Sequence, residues 1–162
     1  MKDTDLFAPY RGLAVPHPEK PREQIVEDLL DMIIEASDIC VPEEVVERET
    51  AYIYDCNRRD RRLVSMGGGP VDPFENTEPM KERIRADVVR DLKAERVIRH
   101  VIETEAIAVS SEELLSYAQT MAEKEHSTLE LVRRFFGEDL SGLGSYVQKE
   151  KARALIYNST QK

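Results

Sequence analysis

The sequence has no tryptophan, two cysteines and three histidines in 162 residues, and each shortage closes a class of function. Cys40 and Cys56 form neither a metal-type nor a redox-type motif, which leaves reduced thiols and a cytoplasmic setting as the plain expectation. His17, His100 and His126 include no pair at metal-ligand spacing. His100 and Glu103 lie on one helix face, but real sites use fuller ligand sets, so that pair is read as structural or solvated. No apolar run reaches the roughly 18 residues that span a bilayer. The opening "MKDTDLFAPY" lacks a continuous apolar core, so a signal peptide is not expected. The net charge of −9 repels phosphates and anionic membranes alike, and neither nucleic acid nor membrane is expected as a partner.

Signs of chemistry are equally sparse. The three glycines after Met66 run into Pro70 rather than Gly-Lys-Ser/Thr, so no phosphate cradle forms. Ser110 and Ser111 stand among capping residues without a nucleophile motif. No metal or cofactor is expected, and an enzyme is the least expected class.

What the sequence does have is helix. Charged residues make up 34% and hydrophobic residues 41%, a balance that suits an elongated all-α chain better than a compact sphere. Four prolines keep residues 1–21 extended, although "YRGLAV" could form a short edge strand or lie across a partner surface. A first helix begins at Pro21 or Arg22, carries Ile25, Val26, Leu29, Leu30, Ile33 and Ile34 on one face, and ends near Ser37–Asp38. A second starts at Pro42, where a fixed φ suits the first turn and Glu43 and Glu44 meet the positive end of the dipole. It reaches Leu63 or Val64, with a thin stripe of Val45, Val46, Tyr52, Ile53 and Cys56. "MGGGPVDPFENTEP", Met66 to Pro79, is the clearest breaker and predicts the longest irregular segment after the N-terminal tail. A third helix runs from about Glu78 to Glu103 on Met80, Ile84, Val88, Leu92, Ile98 and Ile102. Ser110 with Glu113 predicts a capping box, and Ser127 with Glu130 a second, ending at Gly137. A last helix covers about Leu140 to Tyr157, with Leu143, Tyr146, Val147, Ala154 and Leu155 on its apolar side.

Two stretches stay ambiguous on chemistry alone. "NRRDRRL", Asn57 to Leu63, is a basic cluster in an acidic chain. It could meet an acidic partner or RNA phosphate, but the plainer reading is a solvated helix end whose cations face the negative pole of the dipole. In "RRFF", Arg133 to Phe136, the phenylalanines are either core anchors for two helices or, if exposed, part of a binding surface.

The order of segments resembles a known family. "VRDLKAERVIRHVIETEAIAVSSEELLSYAQTMAEKEH" followed by "LELVRRFFGEDLSGLGSYVQKEKARALIYNS" is similar to the C-terminal domain of trigger factor, the bacterial ribosome-associated chaperone. "DLLDMIIEASDICVPEEVVERE" resembles the family block that precedes it, with Pro42 at the family's proline. The resemblance covers about residues 22–158. "YRGLAVPHPEKP" resembles the family's linker after the ribosome-binding domain. The Gly-Phe-Arg-x-Gly-x-x-Pro docking pattern and anything like the peptidyl-prolyl isomerase domain are absent from the sequence, and Met66–Pro79 departs from the family's more helical, Gln/Glu-rich segment.

The resemblance implies an elongated all-α array with protruding helical arms, divided as a linker-like segment over 1–21 and a chaperone domain over 22–162. It implies a nucleotide-independent holdase whose partners are unfolded or nascent polypeptides. Direct ribosome docking is not expected without the docking pattern, prolyl isomerase activity is not expected, and a homodimer stays open. The competing class is a helical adaptor or assembly protein with one specific protein partner. For the holdase, the expected client contacts are Leu63, Met66, Phe74 and Met80, in or beside the breaker loop, and Tyr117, Met121 and Phe136 on the paired short helices. The alternative for the last three is that they pack those helices together, and for Met66 and Phe74 that they dock on the body.

Overall fold

In the computed structural model, residues 5–67 and 78–160 are described, with backbone alone over 61–66. Six α-helices occur among them: α1 (Arg22–Ala36), α2 (Glu43–Met66), α3 (Glu78–Thr104), α4 (Ser111–Lys124), α5 (Leu129–Phe136) and α6 (Gly144–Asn158), with a 3-10 helix over Ser141–Leu143. No sheet forms among the described residues. The "YRGLAV" segment builds no strand beyond a single bridge residue, Ala14, and an isolated antiparallel bridge joins Leu6 to Asp38. The surface area of 11484 Å² exceeds the roughly 8,200 Å² of a compact monomer of this mass.

The core is divided in three. The body packs α1 on the second half of α3 and on α6, around Leu29, Leu30, Ile33, Val97, Val101, Ala152 and Ile156. The first arm pairs α2 with the first half of α3 around Val46, Ile84 and Val88. The second arm folds α4, α5 and the 3-10 helix against the start of α6, around Ala118, Ala122, Val132, Leu140 and Leu143. Because α3 serves the first arm with one end and the body with the other, its buried face shifts along its length, from Ile84 and Val88 to Ala94, Val97, Ile98 and Val101.

The ends of the helices follow local chemistry. Pro21 precedes α1 with φ −56°, and the Pro42 carbonyl accepts from the amides of Val45 and Val46 to open α2. The capping box of α4 is complete: the Ser110 hydroxyl accepts from the Glu113 amide at 3.2 Å, and the Ser110 amide donates to the Glu113 carboxylate at 2.8 Å. The cap of α5 is Thr128, not Ser127. The Ser127 amide still belongs to the closing turn of α4, donating to the Ala122 carbonyl at 2.8 Å. The helix therefore starts one residue later, and Glu130 falls short of the position that closes a box. Thr128→Ala should cost about 1 kcal/mol and Ser127→Ala little, in urea denaturation of the two variants. The reverse order would restore Ser127 as the cap. The last helix also starts later than its pattern predicts, because Leu140 turns left-handed at φ 60° and is buried. The Asp139 carboxylate then accepts from the Ser141 amide at 3.0 Å and opens the 3-10 turn.

No charged or polar residue is buried among the described residues, and ion pairs tie the body together from its surface. Arg90 on α3 bonds Glu27 at 2.6 Å and Asp31 at 2.8 Å, while Arg153 on α6 also donates to Glu27. Burial pushes the Glu27 carboxyl up, but hydrogen bonds from Arg153 and Arg90 outweigh it and hold the group below its ordinary 4.5. A carboxyl lowered in the folded state stabilises above its unfolded value and stops doing so as pH falls through the folded value. The melting temperature of the chain should fall as pH drops below about 4.5, and Glu27→Gln should flatten that fall. An unchanged slope in the variant would contradict the assignment.

Candidate functional site

Six helices with a divided core leave some large apolar side chains exposed among the described residues, and apart from Leu6 these lie on the arms. On α5, Val132 and Phe136 are four apart and face inward, Val132 fully buried and Phe136 half-buried. The same spacing puts Leu131 and Phe135 on the outward side. Leu131 is exposed and Phe135 is 76% exposed. Phe136 meets Tyr146 of α6 edge to face, with ring centroids 6.1 Å apart. Tyr146 is itself exposed, so an aromatic surface continues from α5 onto α6. On the first arm, Tyr52 and Ile53 of α2 are exposed, Tyr52 at 66%.

The residues singled out in the sequence are placed differently. Tyr117, Met121 and Phe136 come together, half-buried against the core of the second arm. Burial raises the Tyr117 phenol, with Glu150 adding to the effect. Met80 is half-buried against Val46, Ile84 and Val88 and is remote in the fold from that trio. Phe74 and the side chains of Leu63 and Met66 lie outside the described residues, as does most of the Met66–Pro79 stretch. The exposed apolar side chains that the sequence reading does not single out are Leu131, Tyr146, Tyr52 and Ile53, while Phe135, left open there between core anchor and surface, lies on the surface. Of the apolar side expected for the last helix, Val147 is buried, together with Ala152 and Ile156, whereas Tyr146 faces water.

The electrostatics around these surfaces are mild. At the basic cluster, Arg58 pairs with Asp55 at 3.7 Å, and Arg59 has no carboxylate partner among the described residues. A hydrogen bond with Cys56 raises the Tyr52 phenol. Between α2 and α3 lies an open groove of about 430 Å³, lined by Glu43, Glu47, Asp55 and Glu82 against Lys81 and Arg85. No group of three or more His, Cys, Asp or Glu fit to hold a metal occurs among the described residues. His100 is packed by aromatics, stacked on Phe7 at 4.1 Å. Cys40 and Cys56 are unpaired. Among the described residues no helix is long and apolar enough to cross a membrane. The described residues offer apolar contact along two arms.

Comparison with known proteins agrees with this architecture. A family model described as "Bacterial trigger factor protein (TF) C-terminus" matches residues 17–158. A trigger factor from Solibacter usitatus is 26% identical over 139 residues, covering 83% of this chain and 32% of that protein. One from Aquifex aeolicus is 23% identical, covering 85% and 28%. The chain thus spans about a third of the length of the curated relatives it matches. Among solved structures, one described as showing domains of trigger factor from Thermotoga maritima and their interactions shares the fold, with a TM-score of 0.68 at 20% identity. It covers 93% of this chain and 90% of that one.

Proposed function

Because the chain belongs to the bacterial trigger factor C-terminal family, we propose that it holds unfolded or nascent polypeptide on its two arms without nucleotide. The observation that carries this reading is the exposed apolar pair Leu131 and Phe135, joined on α6 by Tyr146 and matched on the other arm by Tyr52 and Ile53. Exposed apolar side chains that run together into one patch mark a surface for contact with another chain. Each buried contact yields roughly 1.5–3 kcal/mol before ordering costs, so several hold a client while each remains reversible. Apolar contacts spread over two arms suit many clients better than one partner with one flat patch. Tyr117, Met121 and Phe136 support the surface from beneath and offer their exposed edges to the same client. The chain acts by binding rather than by catalysis, in the cytoplasm, where its two thiols stay reduced.

The test is the light scattering of an aggregating client, without ATP. Wild-type chain should suppress scattering at stoichiometric amounts. Leu131→Ser with Phe135→Ser should lose most of that suppression and shift the melting temperature little, because both side chains already face water. No suppression by the wild type, or full suppression by the double variant, would count against the proposal. Acceleration of proline-limited refolding at substoichiometric chain would overturn the non-enzymatic part.

A further inference from the structure

Residues 5–15 cross the body as a peptide ligand would. Leu6 and Asp38 exchange backbone hydrogen bonds of 2.9 and 2.8 Å, and the Gly12 amide donates to the Ser159 carbonyl at 2.8 Å. At one end the Asp5 carboxylate pairs with Arg96 at 2.7 Å and accepts from the Cys40 amide at 3.1 Å. At the other, Glu105 accepts from the Tyr10 hydroxyl at 2.6 Å and pairs with Arg11 at 2.7 Å. Between them Phe7 lies flat on His100, and Tyr10 meets the same ring edge-on at 6.1 Å. Yet no residue of this strap is buried. The body core is closed by α1, α3, α6 and Ile39, and Phe7, Tyr10, Leu13 and Val15 only rest against it. Beside Arg11 an open hollow of about 440 Å³, lined by Lys151, Leu155 and Asn158, continues the shelf.

We propose that the shelf formed by Asp38, Arg96, His100, Glu105 and Ser159 is a second peptide-binding site, occupied in cis by the strap. Its ligand is an extended segment of a client with a carboxylate, aromatic residues two and five positions on, and an arginine directly after the second. The cation Arg96 and the anion Glu105 at opposite ends set the direction of such a segment, and the imidazole between them takes its two rings. A tethered strap competes at an effective concentration of about millimolar, so foreign segments enter only when the strap opens. Opening leaves the core intact and is a local event. The site is separate from the arms, so the holding proposal stands or falls without it.

The probe is a fluorescein-labelled peptide of residues 5–15, followed by anisotropy against the full chain. A full chain carrying Phe7→Ser and Tyr10→Ser should bind it at least about tenfold more tightly than wild type. Adding Arg96→Ala to that chain should weaken binding about tenfold, and a scrambled peptide should not bind. Equal binding to wild type and strap variant, or equal binding of the scrambled peptide, would overturn the proposal. Should the variant lose its helicity, hydrogen exchange in the wild-type chain decides. The amides of Ala8 and Gly12 should exchange at least about a hundredfold faster than those of Leu29 and Leu30. Exchange of strap and core at one rate would mean that the strap leaves only on global unfolding, and the shelf would then be no binding site.

Discussion

Leu30→Ala should lower the unfolding free energy of the chain by about 3–4 kcal/mol, with little change in the denaturant slope. Leu30 is fully buried where α1 meets α3 and α6. Its truncation removes contacts from all three helices at once, and helices of this length relax only in part around the cavity. The effect reaches the arms because α3 belongs to the first arm as well as the body, and α6 starts in the second. Leu6→Ala is the control: the side chain is 64% exposed, and its loss should shift stability by less than about 0.5 kcal/mol. Urea titration of both variants checks the pair. A loss under about 1 kcal/mol at Leu30 would mean that the three-helix body is not the stabilising centre.

Gly142→Ala should loosen the second arm while leaving the body folded. A Cβ at Gly142 would stand 2.8 Å from the Phe136 carbonyl oxygen and 3.2 Å from the Phe136 Cα. These are backbone atoms at the end of α5, not a side chain that can swing aside. Either the 3-10 helix or the last turn of α5 must move, at a cost of about 1–3 kcal/mol. The adjacent Phe135 and the contact between Phe136 and Tyr146 move with it. Hydrogen exchange should quicken over α4 and α5 and stay unchanged over α1, and client holding should drop. Gly144→Ala, where nothing lies within 4 Å, should be neutral or slightly stabilising. Equal behaviour of the two variants would contradict the close approach at Gly142.

The helices were legible in the sequence because their signals are local. Pro42 before two glutamates, and Ser110 three residues before Glu113, need no tertiary context. Continuity of a stripe is not local. Met80, Ile84 and Val88 predict a face for α3 that extrapolates through Leu92 and Ile98 to Ile102. Ile98 is buried, but Val97 and Val101 are buried beside it while Ile102 is only half-buried, because the second half of the helix packs on different partners. Which arm side chains face water is hard to read for a related reason. A methionine or phenylalanine in a short amphipathic helix reads alike whether it faces the core or the solvent, and only the phase decides. At α5 that phase was within reach: once the helix starts after Thr128 with Val132 inward, Phe136 follows it in and Phe135 turns out. Tyr146 carried no such signal, since the left-handed turn at Leu140 that resets the start of α6 has no mark in the sequence. The strap was legible only as extended, and its hold on His100 depends on contacts more than ninety residues away.

The most direct test of the holding proposal is hydrogen–deuterium exchange of the wild-type chain with and without a permanently unfolded client. Protection should appear over α5 and the start of α6, around Leu131, Phe135 and Tyr146, and over α2 around Tyr52 and Ile53, with α1 unchanged. Protection confined to the body, or none under conditions where the client's aggregation is suppressed, would contradict the account.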